Sequence, residues 1–181
     1  MTEAARWVMD TSTYTHMCRA GHASIIQDLA PHGVVLIPAE VNTEIEKGRE
    51  RHPGIPGISM VNWAAHTLMT DEEESTAMRV KAALGGGRFQ HLGESAVIAC
   101  AHHRNLIAVL DDRAAVAQAD RLKVTSIDTM WIVAEAYKSL FKRDRTQTVA
   151  LVDALLETGM YLPFQDGDSF FAWAWEEGIL P

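Results

Sequence analysis

Five carboxylates stand where a hydrophobic segment ends or a helix begins. Asp10 follows the segment at 6–9 directly, and Glu44 lies two turns into the helix-like stretch after 34–37. Glu94 follows Leu92-Gly93, and Asp111 and Asp112 end the apolar run 106–110. If the preceding segments are strands of one open parallel sheet, these acids face a common crevice beyond its carboxyl edge, where ligands of such sheets bind. Like charges gathered there raise one another's pKa. The chemistry that resolves the conflict is a hard divalent cation, Mg²⁺ or Mn²⁺, which prefers oxygen ligands. Taken singly, each acid has a plainer reading: Asp10 as a helix cap, Glu44 and Glu94 as solvated or capping residues, Asp111 as the holder of a turn. Only the conjunction points to a site. An anionic substrate approaching these acids needs cations nearby, and Arg88, His91, Arg113 and Lys81 are the candidates, each also readable as an ordinary surface residue.

The elements that must position these residues alternate. Apolar strands are expected at 6–9, 34–37, 106–110 and 124–126. Helices are expected at 11–19, 22–30, 39–48, 70–84, 94–103, 113–121, 128–140 and 146–157. Gly48 reads as a helix C-cap followed by a Pro- and Gly-rich loop at 49–57, and 58–64 is open between strand and loop. The DEEE run at 71–74 suits a helix N-terminus, where the macrodipole favours negative charge. Gly85-Gly86-Gly87 reads as a flexible loop and lacks the spacing of a phosphate-cradling motif. Strands alternating with helices predict an α/β fold, a three-layer α/β/α sandwich around a mostly parallel central sheet. The residues after 158 are aromatic and acidic, with no Lys or Arg. They read as an extension, 159–181, packed on a domain spanning 1–158 or on a partner.

Bulk composition narrows the classes. With 181 residues, 48% hydrophobic and 22% charged, the chain supports one well-buried core rather than disorder. A net charge of -8 argues against coating nucleic acid through a broad positive surface. It leaves open an enzyme whose bound cations reverse the sign of a local acidic cluster. Cys18 and Cys100 sit in helix-like sequence without CxxC spacing and read as reduced thiols. No segment resembles a signal peptide or approaches the roughly 20 apolar residues of a membrane span, so a cytoplasmic location is expected.

The segments MDTSTYTHM, IPAEVNTEIEKG and LGESAVIACAHHRNLIAVLDDRAAVAQADRLKVTS, taken in order, resemble the PIN domain family over residues 6–140, in particular its prokaryotic branch of toxin-like ribonucleases. The resemblance implies the strand order 3-2-1-4-5. It also implies an acidic Mg²⁺ or Mn²⁺ site of Asp10, Glu44, Glu94 and Asp112, with Asp111 beside it. Glu40 is the rival of Glu44 one turn earlier, and Ser12 matches a small hydroxyl residue that orients a carboxylate or water. The implied activity is an endoribonuclease, cutting single-stranded or structured RNA by in-line attack of water to leave 5′-phosphate and 3′-hydroxyl ends. Arg88, His91 and Arg113 are the expected substrate contacts. A homodimer and an antitoxin protein are the implied partners, although the central loop and aromatic tail depart from the compact toxin pattern. Two other readings stand beside it. One is a non-catalytic PIN-like binding or structural protein. The other is a metal-dependent phosphatase-like hydrolase, which the TST after Asp10 disfavours because it brings no acid two residues later.

Overall fold

Three consecutive residues of the first strand, Trp7–Met9 (β1), are all buried, although neighbouring strand residues point to opposite faces. A strand buried on both sides must have helices above and below it. The structure, a computed structural model, describes residues 5–181 and provides that arrangement. Strands β1, Val35–Pro38 (β2), Ala64–Thr67 (β3), Ile107–Val109 (β4) and Ser126–Ile127 (β5) form one sheet in the order β3-β2-β1-β4-β5. Every pairing is parallel, with Val8 opposite Leu36 on one side and Ala108 on the other. The α/β sandwich and its strand order match the sequence expectation.

The helices are Thr11–Arg19 (α1), Ser24–Leu29 (α2), Ala39–Arg51 (α3), Asp71–Leu84 (α4), Leu92–Arg104 (α5), Arg113–Arg121 (α6), Thr129–Glu135 (α7), Arg145–Glu157 (α8) and Ser169–Glu176 (α9). Asp10, Asp112 and Asp128 each accept a backbone N–H as N-caps of α1, α6 and α7. Thr70 and Glu73 form a reciprocal capping box at the start of α4.

Some boundaries differ from expectation for local reasons. The open segment 58–64 begins as a 3₁₀ turn, Ile58–Met60, and only its last residue enters the fifth strand of the sheet, β3, an edge strand whose AAHT sequence carries no apolar run. The last strand lies later than expected, at Ser126–Ile127 rather than 124–126. Helix α3 runs through Gly48 to Arg51, and Arg49 fastens the following loop by donating to the Ile55 carbonyl at 3.0 Å. The expected helix 128–140 changes to a π turn at Ala136–Leu140. Gly85–Gly87 is not a loose loop. Lys81 Nζ donates to the carbonyls of Gly85 (2.7 Å) and Gly87 (3.0 Å), so Lys81 is occupied with holding that loop.

In the tail, Phe164, Phe170, Phe171 and Ala174 are buried in the common hydrophobic core. The Phe164 and Phe170 rings meet edge to face at 5.9 Å. Cys18 and Cys100 are free thiols, and burial pushes the pKa of both up to about 12. No helix of the described residues is long and apolar enough to cross a membrane.

Candidate acidic site

The chain leaves β1 to build β2 and β3 on one side, then returns to lay β4 on the other. The crevice beyond the carboxyl ends of β1 and β4 is therefore the switch point of the sheet. Asp10 is the first residue beyond β1 there. Its backbone N–H donates to the Val109 carbonyl at 3.1 Å, tying it to the end of β4. Its Oδ1 accepts from the Thr13 N–H at 3.2 Å, and its Oδ2 lies 3.5 Å from the Asp111 N–H. The carboxyl is buried, with 4% of the residue exposed. Burial holds its pKa well above the ordinary carboxylate range. The Asp111 charge adds to this, the two N–H groups oppose it, and Glu94 contributes a smaller repulsion.

The consecutive aspartates after β4 separate in role. Asp111 turns inward, accepting from Thr13 Oγ1 (3.2 Å) and from the N–H and hydroxyl of Thr129 (2.9 Å each). Asp112 is exposed and caps α6 by accepting from the Ala115 N–H at 2.8 Å. Of this pair, Asp111 is the one that faces Asp10.

Glu44 reaches the crevice from α3, held at two points. The Thr11 hydroxyl donates to its Oε2 at 2.5 Å, and the Gly93 N–H at the start of α5 donates to its Oε1 at 3.2 Å. Gly93 has no side chain for a reason. A Cβ there would sit 2.7 Å from Glu44 Oε2, closer than van der Waals radii allow. Burial raises the Glu44 pKa, Thr11 opposes the rise, and Glu94 adds repulsion. Glu94, in the first turn of α5, lies 3.7 Å from His91 Nδ1 through its Oε1. Glu40 faces elsewhere, beside Met78, Lys81 and Ser95, with a buried Oε2 that no described residue hydrogen-bonds. Within α1 the hydroxyls that reach the acids belong to Thr11 and Thr13, on either side of Ser12.

A family profile decides the lineage of this arrangement. The DUF3368 family, described as a PIN domain, matches residues 6–166. The chain is a PIN-domain protein. The PIN superfamily includes metal-dependent nucleases. The chain is also similar to the crystal structure of PAE2754 from Pyrobaculum aerophilum, at 17% identity, covering 83% of this chain and 98% of that one with a TM-score of 0.43. No curated protein matches it.

Within this PIN domain, no three His, Cys, Asp or Glu side chains among the described residues stand close enough to form a ready-made metal cage. Among those residues, no Lys or Arg makes an ion pair with Asp10, Glu44 or Asp111.

A cleft of about 510 Å³ opens beside Glu44 and Glu94. Its other walls carry Arg19, Lys47, Arg51, His52 and Phe89, together with the expected His91. Arg88 lies outside that lining, against the Phe89 ring, and Arg113 is on the opposite flank. There a second cleft of about 460 Å³ is lined by Asp111, Arg113 and Asp128. Sequence reasoning missed Asp128, whose pKa is raised by burial and then by Asp111. Its signal was available, since it follows a strand and caps a helix as Asp10 does. Arg51 and His52 were missed because Gly48 reads as the end of their helix.

Proposed function

We propose that this PIN domain is a metal-dependent ribonuclease that hydrolyses RNA phosphodiester bonds in the crevice between β1 and β4. The observation that carries this reading is pairwise repulsion at the sheet switch point, of Asp10 with Asp111 and Glu94 and of Glu44 with Glu94, with no Lys or Arg ion pair to Asp10, Glu44 or Asp111 among the described residues. Carboxylates whose pKa is raised by burial and by a neighbouring charge, set in a cleft, are candidates for a functional site.

The donor set fits a hard divalent cation by its chemistry. All donors are carboxylate oxygens, and their mutual repulsion is what such an ion relieves. Asp10, Glu94 and Asp111 are the proposed holders of the ion, with Glu44 bound directly or through water. Asp111 takes the fourth place in preference to Asp112, because Asp111 is the one whose charge acts on Asp10, whereas Asp112 is exposed at the α6 N-terminus. When bound, the ion supplies Lewis acidity and lowers the pKa of attached water.

The protein's own contribution is orientation. Thr13 and Thr129 fix the Asp111 carboxylate, whereas Thr11 and the Gly93 N–H fix Glu44. The N-terminus of α5 also places a partial positive charge beside Glu44 and Glu94. RNA is the partner this reading requires; a second copy of the chain and an antitoxin-like inhibitor are compatible with it.

The test is cleavage of a panel of end-labelled single-stranded and structured RNAs in Mn²⁺, Mg²⁺ and EDTA, with Asp10→Asn as control. The expected result is metal-dependent cutting that disappears in the variant. Cutting that survives in EDTA or in Asp10→Asn contradicts the proposed site. A folded protein that neither binds metal nor cuts any RNA is instead a non-catalytic member of the family.

A further inference from the structure

Resting on that nuclease reading, we propose that the cleft beside Glu44 holds an unpaired nucleotide of the RNA strand, its base stacked on Phe89 and the adjoining phosphates on Lys47, Arg51 and Arg19. Four observations converge on it.

The first is charge. The chain carries -8 overall, yet Arg19, Lys47 and Arg51 line one cleft, and among the described residues none of them makes an ion pair. Arg49, between the two α3 cations, is not available, because it bonds Glu46 at 2.6 Å and the Ile55 carbonyl. Phosphate is the group such a wall recognises.

The second is spacing. Glu44, Lys47 and Arg51 are three and four residues apart, so they form one stripe along α3. At 1.5 Å per residue the stripe extends about 10 Å from acid to outer cation. A strand lying along it would place one phosphate near the acids while its neighbours meet the cations.

The third is Phe89. It is 70% exposed, a large ring with no share in the core, and it faces the same cleft. Lys47 Nζ lies 5.9 Å from the ring centre and the Arg88 guanidinium carbon 5.3 Å, so the ring is flanked by cations. An aromatic face beside positive charge is how proteins hold single-stranded nucleic acid without reading base edges. The loop that carries the ring is hydrogen-bonded on both sides of it. Lys81 closes the glycine loop from below, and the Gly87 N–H donates to Gln90 Oε1 at 2.6 Å, on the residue following Phe89.

The fourth is Gly48, which also lines the cleft. Glycine inside a helix is disfavoured relative to alanine by about 1 kcal/mol, yet a Cβ at this position would meet nothing within 4 Å. No neighbour within the chain requires the small residue, and the surface beside Lys47 and Arg51 is left open to a strand passing over α3.

A paired base has no free face to offer Phe89, so the cleft discriminates between single strands and duplexes. The experiment is fluorescence anisotropy of a short labelled RNA in EDTA, using Asp10→Asn so that binding is read apart from cutting. The same RNA annealed to its full complement and a glutamate-rich peptide serve as competitors. The single strand is expected to bind more tightly than either. Phe89→Ala is expected to weaken it by about 5- to 150-fold, the range of one base stack, while Phe89→Trp retains binding. Lys47→Ala with Arg51→Ala is expected to reduce the slope of log affinity against log salt by about 1.4, or roughly 0.7 for each phosphate no longer neutralised.

Equal binding of strand and duplex, equal binding of the peptide, or unchanged affinity in Phe89→Ala overturns the proposal. Cleavage measured separately on the unmodified protein distinguishes the two readings. Cutting with no Phe89 effect removes the cleft assignment alone, and the expected binding pattern without any cutting removes the nuclease alone.

Discussion

The two ends of α5 treat carboxylates in opposite ways. At its C-terminus Arg104 meets the buried Glu73 through Nε (2.6 Å) and Nη2 (2.7 Å), and also bonds Thr67 and the Leu68 carbonyl. Hydrogen bonding to Arg104 holds the Glu73 pKa below its ordinary value. That buried charge is matched, and it fastens α4 and the edge strand β3 to α5. At the N-terminus of the same helix Glu44, Glu94, Asp10 and Asp111 gather with no Lys or Arg ion pair among the described residues, and burial pushes Asp10 and Glu44 upward. The carboxylate at one end of the helix has an Arg ion pair, whereas those at the other have hydrogen bonds and, for Glu44, the charge of Lys47 to oppose burial. At the N-terminal end burial outweighs the groups that oppose it and raises Asp10 and Glu44, the reverse of what Arg104 does to Glu73.

Each end can be perturbed by itself. The largest effect expected is on catalysis: Asp10→Asn should lower metal-dependent RNA cleavage by more than about 100-fold, since even indirect supports of metal ligands contribute 10- to 100-fold. Asp111→Asn should lose far more activity than Asp112→Asn in the same assay. Equal losses would return the fourth position to Asp112.

At the other end, Arg104→Met should destabilise the fold by about 3 kcal/mol, because it strands a buried carboxylate. Urea titration checks this. The pH dependence has a defined sign. Glu73 has a lowered folded pKa, so its contribution is present above the unfolded value of 4.5 and is lost as pH falls through the folded one. The variant should therefore show its deficit at neutral pH and lose much of it in acid.

Gly93→Ala should act more narrowly. The added Cβ displaces the flexible end of Glu44. Activity should fall by about 10- to 100-fold, the scale of a small misplacement at a reacting centre. The midpoint of thermal unfolding should move by less than about 3 °C. Full activity in this variant would remove Glu44 from the site.

Much of this organisation was legible in the residues. Asp10, Asp111 and Glu94 follow strand ends or open a helix, and the order of the quoted segments carries the family and its strand arrangement. What escaped has physical causes. Spacing cannot say which of two adjacent aspartates faces inward. That is decided by the α6 N-terminus, which takes Asp112, and by Thr13 and Thr129, which take Asp111. Likewise Ser12 is the hydroxyl the sequence singles out, but the pitch of α1 directs Thr11 and Thr13 to the acids. The strand β3 carries no apolar run because it lies at the sheet edge. Arg51 and His52 were hidden by Gly48, whose usual meaning as a helix end does not apply.

The most direct measurement is thermal unfolding of the unmodified protein and Asp10→Asn, first in EDTA and then in Mn²⁺. Asp10 has a raised folded pKa, so between the ordinary value of 3.8 and that raised value the folded state holds a proton the unfolded state has released. Its stability therefore falls as pH rises through that window. At neutral pH without metal, Asp10→Asn should melt about 2–4 °C higher, corresponding to roughly 1 kcal/mol. Mn²⁺ should then raise the midpoint of the unmodified protein while leaving the variant in place, because only a competent site gains from the ion. A variant that melts lower in EDTA, or that Mn²⁺ stabilises as much as the unmodified protein, would contradict the view that these acids are held unmatched for a metal.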